Sequence, residues 1–197
     1  NTYLYVSHDK ASAPATVTKI NVSTMATDSR WNGAANENVT MGLTYDGTYL
    51  YTTLQMDQVT NKVIQINPST MATVASWTGT SSQLSIFHIA ADTNGKYVYA
   101  VCSRSPGIIV KIDTSTMTTV ATWTGKTGEN SPVDIKFDGR YLYTGFSLNP
   151  GRVVKIDPYT MTTVERWTFG TGDSSSISLV YDGKYLYSDT NDAPGSI

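Results

Sequence analysis

The chain repeats one pattern of aromatic and aliphatic residues at a nearly constant interval. A tripeptide Tyr-Leu-Tyr, or Tyr-Val-Tyr in one copy, begins five units that start 46, 48, 44 and 44 residues apart, at Tyr3, Tyr49, Tyr97, Tyr141 and Tyr185. The first four units also share a methionine followed by a tryptophan in the same register: Met25 and Trp31, Met71 and Trp77, Met117 and Trp123, Met161 and Trp167. A self-similarity of this length restricts the fold to architectures that repeat one supersecondary unit.

Hydrophobic periodicity predicts four short strands in each unit. Residues 176–181 read as a strand that ends at Asp182-Gly183, a dipeptide that favours a two-residue hairpin turn with positive φ angles. Residues 184–188 are then the second strand. In the preceding copy, residues 151–157 are the third strand and residues 162–168 the fourth.

Four short strands in a unit of 44–48 residues are typical of a β-propeller blade. The predicted fold class is therefore all-β, a β-propeller of four-stranded antiparallel blades with four repeats and a partial fifth. Residues 1–197 are expected to form a single propeller domain or part of a larger propeller.

The repeat also resembles a known family. Its pattern, D-G-K-Y-L-Y followed by G-x-V-V-K-I-D-P-x-T-M-T-T-V-x-x-W-T, is similar to the YVTN-type and related surface-layer β-propeller repeats over essentially the whole chain. The copies here read Tyr-Leu-Tyr-Thr or Tyr-Val-Tyr-Ala where the family name has Tyr-Val-Thr-Asn. The resemblance implies a propeller, and it implies cell-surface, adhesive or scaffolding roles more often than enzymatic ones.

Composition excludes several classes of function. Charged residues make up 15% of the chain, the net charge is −2, and lysine and arginine are scattered, so a nucleic-acid partner is not expected. No run of 18 apolar residues predicts a membrane span. Cys102, the only cysteine, ends an apolar strand and is expected to be a buried, unreactive thiol. The start of the chain suits a mature secreted protein or a fragment.

The first strand of each repeat is the candidate location for chemistry, because the innermost strands of a propeller line its channel. One phase of these strands is uniformly aliphatic, and the position before it varies, as Gly42, His88, Asp134 and Ser178. We predict that these four residues line the channel without catalysing a reaction. The alternative is a metal-assisted, lactonase-like hydrolase, but only His88 and Asp134 would supply ligands to its ion. No catalytic, cofactor-binding or metal-binding residue is therefore assigned.

Two other features carry weaker hypotheses. Asp189-Thr190-Asn191-Asp192 resembles the start of a calcium loop, but the glutamate that completes such a loop does not follow. The repeated tryptophans could form a row of carbohydrate-stacking faces, although packing inside the sheets is the simpler expectation. Glycans are for this reason a possible partner.

The two ends of the sequence predict unpaired strand edges. Five Tyr-Leu-Tyr strands are expected but only four complete copies of each other strand, with the stub of a further third strand at Gly195-Ser196-Ile197, so one Tyr-Leu-Tyr strand is surplus. Unpaired edges recruit strands, either from a larger ring or from another copy of the chain. The candidate assembly edge consists of Tyr3, Tyr5, Tyr185, Tyr187 and Ile197.

Together these patterns predict a non-catalytic propeller that acts outside the cell or on the surface of a cell or particle. Its role would be structural or adhesive, and its expected partners are other surface proteins or further copies of itself.

Overall fold

The computed structural model describes residues 2–8, 14–55, 61–83, 85–176 and 178–190. Those residues form short β-strands joined by turns, and none of them is helical. A helix able to cross a membrane is accordingly not found among them. The strands are β1 (Tyr3–His8), β2 (Thr16–Asn21), β3 (Ala26–Asn32), β4 (Val39–Tyr45), β5 (Leu50–Gln55), β6 (Asn61–Asn67), β7 (Ala72–Thr78), β8 (Ile86–Ala91), β9 (Tyr97–Cys102), β10 (Ile108–Asp113), β11 (Thr118–Thr124), β12 (Pro132–Phe137), β13 (Leu142–Phe146), β14 (Arg152–Asp157), β15 (Thr162–Thr168), β16 (Leu179–Tyr181) and β17 (Leu186–Ser188).

Neighbouring strands in the chain pair antiparallel, which confirms the predicted repeat. β4 to β7, β8 to β11 and β12 to β15 each form a four-stranded sheet in chain order. β1 to β3 form a three-stranded sheet, and β16 and β17 form a two-stranded sheet. β1 contains Tyr3-Leu4-Tyr5 and β17 begins one residue after Tyr185, so both occupy the place of the second strand of a four-stranded sheet.

The strands belong to two compact units, Asn1–Ile86 and Phe87–Ile197. In the first unit, a buried cluster around Trp31, Leu54 and Ile66 packs between the sheets. In the second unit, one cluster surrounds Trp123 and Phe146, and a smaller one contains Val153, Phe169 and Leu179. Inward-facing aliphatic and aromatic residues of consecutive strands supply these cores, as expected for stacked sheets.

The hairpin between the first two strands of a repeat differs from the sequence prediction. Tyr181 pairs with Leu186, so the loop has four residues instead of two and β17 starts at Leu186. Gly183 does have the expected positive φ, 98°. The carboxylate of Asp182 accepts the backbone N–H groups of Lys184 and Tyr185, at 2.8 and 2.7 Å. The N–H of Asp182 donates to the carbonyl of Tyr185 at 3.2 Å, but the N–H of Tyr185 donates to the Asp182 side chain, and residues 182–185 form a longer loop than the two-residue turn that was predicted.

The turn between the third and fourth strands explains the repeated methionine. Met161 has a φ of 52°, a left-handed conformation uncommon for any residue but glycine, and its N–H donates to the carbonyl of Asp157 at 2.9 Å. Met25, Met71 and Met117 adopt the same conformation. Met161 is nevertheless buried in the cluster that contains Trp123. The strained turn therefore directs a long, flexible side chain into the core.

Candidate functional site

The predicted inner-strand residues His88 and Asp134 lie in direct contact in the second unit. Asp134, on β12, is 1% exposed, and its Oδ1 is 2.8 Å from Nδ1 of His88 on β8. The same oxygen accepts from Nζ of Lys136 at 3.2 Å and from the N–H of Ile135 at 2.7 Å. Oδ2 accepts the N–H of Leu179 on β16, also at 2.8 Å. One carboxylate thus joins the first strands of three successive repeats.

Electrostatics keep this carboxylate ionised. Burial raises the pKa of Asp134, but the hydrogen bond from His88, the charge of Lys136 and the N–H of Leu179 together hold its pKa below the usual value. Because an ionised carboxylate only accepts hydrogen bonds, Nδ1 of His88 carries the proton in this contact. Four donors form hydrogen bonds with the two carboxylate oxygens. The arrangement therefore suits a structural link between strands better than a metal ligand or a general base.

The other two predicted channel residues make local backbone contacts. The N–H of Ser178 donates to Oδ1 of Asp189 at 2.7 Å. Asp189 is the first residue of the segment that resembles a calcium loop, and Asn191 and Asp192 of that segment lie outside the described residues. The N–H of Gly42, in the first unit, donates to Oγ1 of Thr53 at 2.8 Å. No group of three or more His, Cys, Asp or Glu residues is close enough to hold a metal ion within the described ranges. The channel-lining role of the four residues remains a prediction.

A second set of contacts, which the sequence did not predict, connects successive sheets through their tryptophan side chains. Nε1 of Trp31 on β3 donates to Oγ1 of Thr73 on β7 at 2.8 Å, and Nε1 of Trp123 on β11 donates to Thr163 on β15 at 3.0 Å. Trp31 and Trp123 are each 2% exposed, and Trp77 is 3% exposed. Met71 and Met161 belong to the buried clusters of Trp31 and Trp123, respectively. We call this set of contacts the Trp–Thr joint.

A glutamate in the loop after Trp31 and after Trp123 adds an ionic contact to the joint, whereas the matching residue after Trp77 is Gln83. Glu129 is fully buried, and its carboxylate accepts the N–H of Lys126 and the guanidinium of Arg166 on β15. Burial raises the pKa of Glu129, but the hydrogen bonds from Arg166 and from the N–H of Lys126, together with the charges of these two residues, hold the pKa below its usual value. In the first unit Glu37 likewise accepts from Nζ of Lys62 at 2.8 Å. The joint therefore combines an indole, a methionine, a threonine and an ion pair.

The fourth tryptophan leaves its half of the joint uncovered. Trp167, on β15, is 61% exposed, and its ring centroid lies 4.6 Å from that of Phe169. It borders a cleft of about 390 Å³ between the β12–β15 sheet and β17. We call this surface the Trp167 face; its apolar walls are Tyr143, Val153, Trp167, Leu186 and Tyr187. In the other repeats the equivalent indole is buried, so three of the four tryptophans cannot stack on a carbohydrate.

The complementary half of a joint is exposed on the first repeat. Met25 is 69% exposed, whereas Met71, Met117 and Met161 are each 6% exposed. Thr27 and Arg30, on β3, are also exposed. We call these three residues the Met25 face.

The candidate assembly edge is partly described. Tyr3 and Tyr5 are half-buried on β1, and the ring of Tyr5 stacks on Tyr45 with centroids 6.5 Å apart. Tyr185 and Tyr187 are exposed beside or on β17, and the hydroxyl of Tyr187 donates to Asp182 at 2.9 Å. Ile197 lies outside the described residues. The assembly role of these residues remains a prediction.

Comparison with known proteins identifies the fold. No protein-family model and no curated protein matches the chain. Among solved structures, the Dos1 propeller matches with a TM-score of 0.71 and 15% identity, over 93% of this chain and 47% of that one. The β-propeller domain of Cps50 (Swd1) from Myceliophteria thermophila matches with a TM-score of 0.73 and 15% identity, over 96% and 59%. The computationally designed protein Ika8 matches with a TM-score of 0.70 and 11% identity, over 98% and 54%.

The chain therefore has a β-propeller fold and spans about half the length of these solved structures. At such low identities the likeness extends to the fold alone.

Proposed function

We propose that this chain is a non-catalytic scaffold that binds protein strands at the Trp167 face. A propeller fold in general supports a scaffold or protein-interaction role. The finer parts of the proposal are a structural or adhesive role, a location outside the cell or on a particle surface, and kinship with the surface-layer repeats whose pattern the sequence resembles.

The observation that supports this proposal is the contrast among the tryptophans. Trp31 and Trp123 are covered by the fourth strand of the next repeat, which offers a threonine hydroxyl to the indole N–H. Trp167 presents the same indole with 61% of its surface exposed. A large exposed aromatic beside an apolar cleft is typical of an interaction site. Its natural ligand is a β-hairpin with the chemistry of the third and fourth strands of this repeat.

The hydrolase alternative finds less support. His88 and Asp134 are the two residues it requires, and the carboxylate of Asp134 is already engaged by four donors. An ion would have to displace the contacts that connect β8, β12 and β16. The carbohydrate-binding alternative depends on Trp167 alone.

A peptide-binding experiment tests the proposal. The probe is a fluorescein-labelled peptide of residues 152–166, which contains the third and fourth strands but no tryptophan. We expect the 197-residue chain to raise its fluorescence anisotropy with a dissociation constant on the order of 100 μM, because an isolated hairpin is marginally stable and must be ordered on binding.

Two variants of the chain provide the controls. Trp167→Ala should weaken binding at least about ten-fold. Tyr159→Ala, which removes an 88% exposed aromatic outside the cleft, should leave binding unchanged. Equal binding by both variants, or no binding at about 1 mM peptide, would contradict the proposal. Trp167-dependent binding of oligosaccharides instead of peptide would favour the carbohydrate alternative.

A further inference from the structure

The Trp167 face and the Met25 face are the two halves of one joint. In the joint between the third and fourth repeats, Trp123 meets Thr163, the second residue of β15. Thr27 is the second residue of β3, the matching position in the first repeat. Met25 precedes Thr27 by two residues, as Met161 precedes Thr163. Each exposed face therefore carries the groups that the other lacks.

The charges on the two faces also match those of the internal joint. Glu129, six residues after Trp123, binds Arg166, the fifth residue of β15. Asp173 follows Trp167 by the same six residues, and Arg30 is the fifth residue of β3. Asp173 and Arg30 are both exposed. An ion pair between them would reproduce the internal pair with an aspartate in place of a glutamate.

The strands beside the two faces are interchangeable. β16 and β17 share three residue pairs, of which Tyr181 with Leu186 is the one nearest the turn. The Tyr-Leu-Tyr of β1 matches residues 185–187, with Leu4 at the position of Leu186 and Val6 at that of Ser188. β1 of an incoming chain could thus replace β17 beside β16 with like residues at two of the three paired positions, and its own sheet would supply the third and fourth strands.

We infer that the partner that fits the Trp167 face is a second copy of this chain, joined head to tail. This inference rests on the proposed function, because it names the occupant of the same face. Trp167 of one copy donates its indole N–H to Thr27 of the second copy, Met25 of that copy covers the indole ring, and Arg30 pairs with Asp173. Each joined copy retains one unused face, so the association continues into rings or filaments.

Charge exchange tests the inference in the 197-residue chain itself. Sedimentation velocity at about 1 to 200 μM should show association that increases with concentration. Arg30→Asp and Asp173→Arg should each weaken it on the order of ten-fold by placing like charges in contact, and Trp167→Ala on the order of a hundred-fold. The double variant Arg30→Asp/Asp173→Arg should associate within about three-fold of the wild type.

The control is Arg140→Asp, which alters an exposed arginine in the turn before Tyr141 and changes the net charge as much as Arg30→Asp does. It should leave association unchanged. Far-ultraviolet circular dichroism of each variant checks that it is folded, since all the altered side chains are exposed.

Several results would overturn the inference. A chain that stays monomeric to 200 μM would show that something other than a second copy covers the Trp167 face, such as further residues of the same polypeptide. If the single charge reversals leave association unchanged, or if the double variant does not restore it, the contact between copies lies elsewhere. If the chain stays monomeric but still binds the peptide of residues 152–166 through Trp167, the proposed function stands and only this inference is wrong.

Discussion

Replacing Asp134 with asparagine tests the hydrogen bonds that connect β8, β12 and β16. The carboxylate accepts hydrogen bonds at both oxygens, from His88 and Lys136 at Oδ1 and from Leu179 at Oδ2. Asparagine has the same shape but only one acceptor oxygen. Its NH₂ group must therefore face at least one of these donors in a site that is 1% exposed.

The cost follows from the contacts that are lost. An unsatisfied buried donor costs about 1–3 kcal/mol, and removing one partner of a buried ionic contact costs about 3–5 kcal/mol. His88 and Lys136 are partly exposed and can form hydrogen bonds with water instead, so the cost should lie near the lower end of the range of about 3–5 kcal/mol. We expect Asp134→Asn to lower the free energy of unfolding of the second unit by about 3 kcal/mol.

Urea unfolding at pH 7, followed by circular dichroism, measures this change. The control is Glu165→Gln, which neutralises an exposed carboxylate on β15 and should cost less than about 1 kcal/mol. A loss below about 0.5 kcal/mol for Asp134→Asn, with the m-value unchanged, would refute the assignment of Asp134 as a structural link between strands.

The pH dependence of stability provides a second test of the Asp134 carboxylate. Because the folded-state pKa of Asp134 is below its unfolded value, its contribution to stability is complete above the unfolded pKa near 4 and is lost as the pH falls through the folded pKa. The stability difference between wild type and Asp134→Asn should therefore narrow below about pH 4. A difference that is constant from pH 7 to pH 2 would contradict the ionised carboxylate.

Three further results are expected. Trp123→Ala should cost about 3–5 kcal/mol in urea unfolding because its side chain is buried, whereas Trp167→Ala at concentrations where the chain is monomeric should cost less than about 1 kcal/mol; equal costs would contradict the difference in burial. Thr163→Val leaves Nε1 of Trp123 without that acceptor and should cost about 1–3 kcal/mol, and Thr163→Ser should restore most of the loss, unless the bond is not formed in solution. Burial raises the pKa of the Cys102 thiol to about 12, so iodoacetamide should modify it at pH 8 only after unfolding; rapid modification of the native protein would place the thiol at the surface.

The strands and their order could be predicted from the sequence because their signals are local. Alternating residues around each Tyr-Leu-Tyr, with glycine and proline at the turns, indicate where each strand begins and ends. The length of the Asp182-Gly183 loop could not be predicted, because the Asp182 carboxylate accepts the N–H groups of Lys184 and Tyr185, and the dipeptide does not reveal these contacts.

The sites depend on contacts between repeats, which local patterns do not contain. The sequence places His88 and Asp134 at equivalent positions, but Lys136 and the N–H of Leu179 complete the cluster only in the folded sheets. Likewise, four tryptophans in one register look alike. Whether an indole is covered depends on a threonine about 40 residues further on. The sequence signal for these contacts is the constant spacing from methionine to threonine in each repeat.

Hydrogen exchange at the four indole N–H groups tests most directly whether one Trp–Thr joint is left open. Two-dimensional NMR resolves these signals, and single Trp→Phe variants assign them. In dilute solution Trp31, Trp77 and Trp123 should exchange slowly, and Trp167 should exchange at nearly the rate of free indole, because only its side chain is mostly exposed. At concentrations where copies associate, Trp167 should become protected as well. Equal protection of all four indoles in the dilute monomer, or an unprotected Trp167 in the assembled protein, would contradict the open joint and its head-to-tail closure.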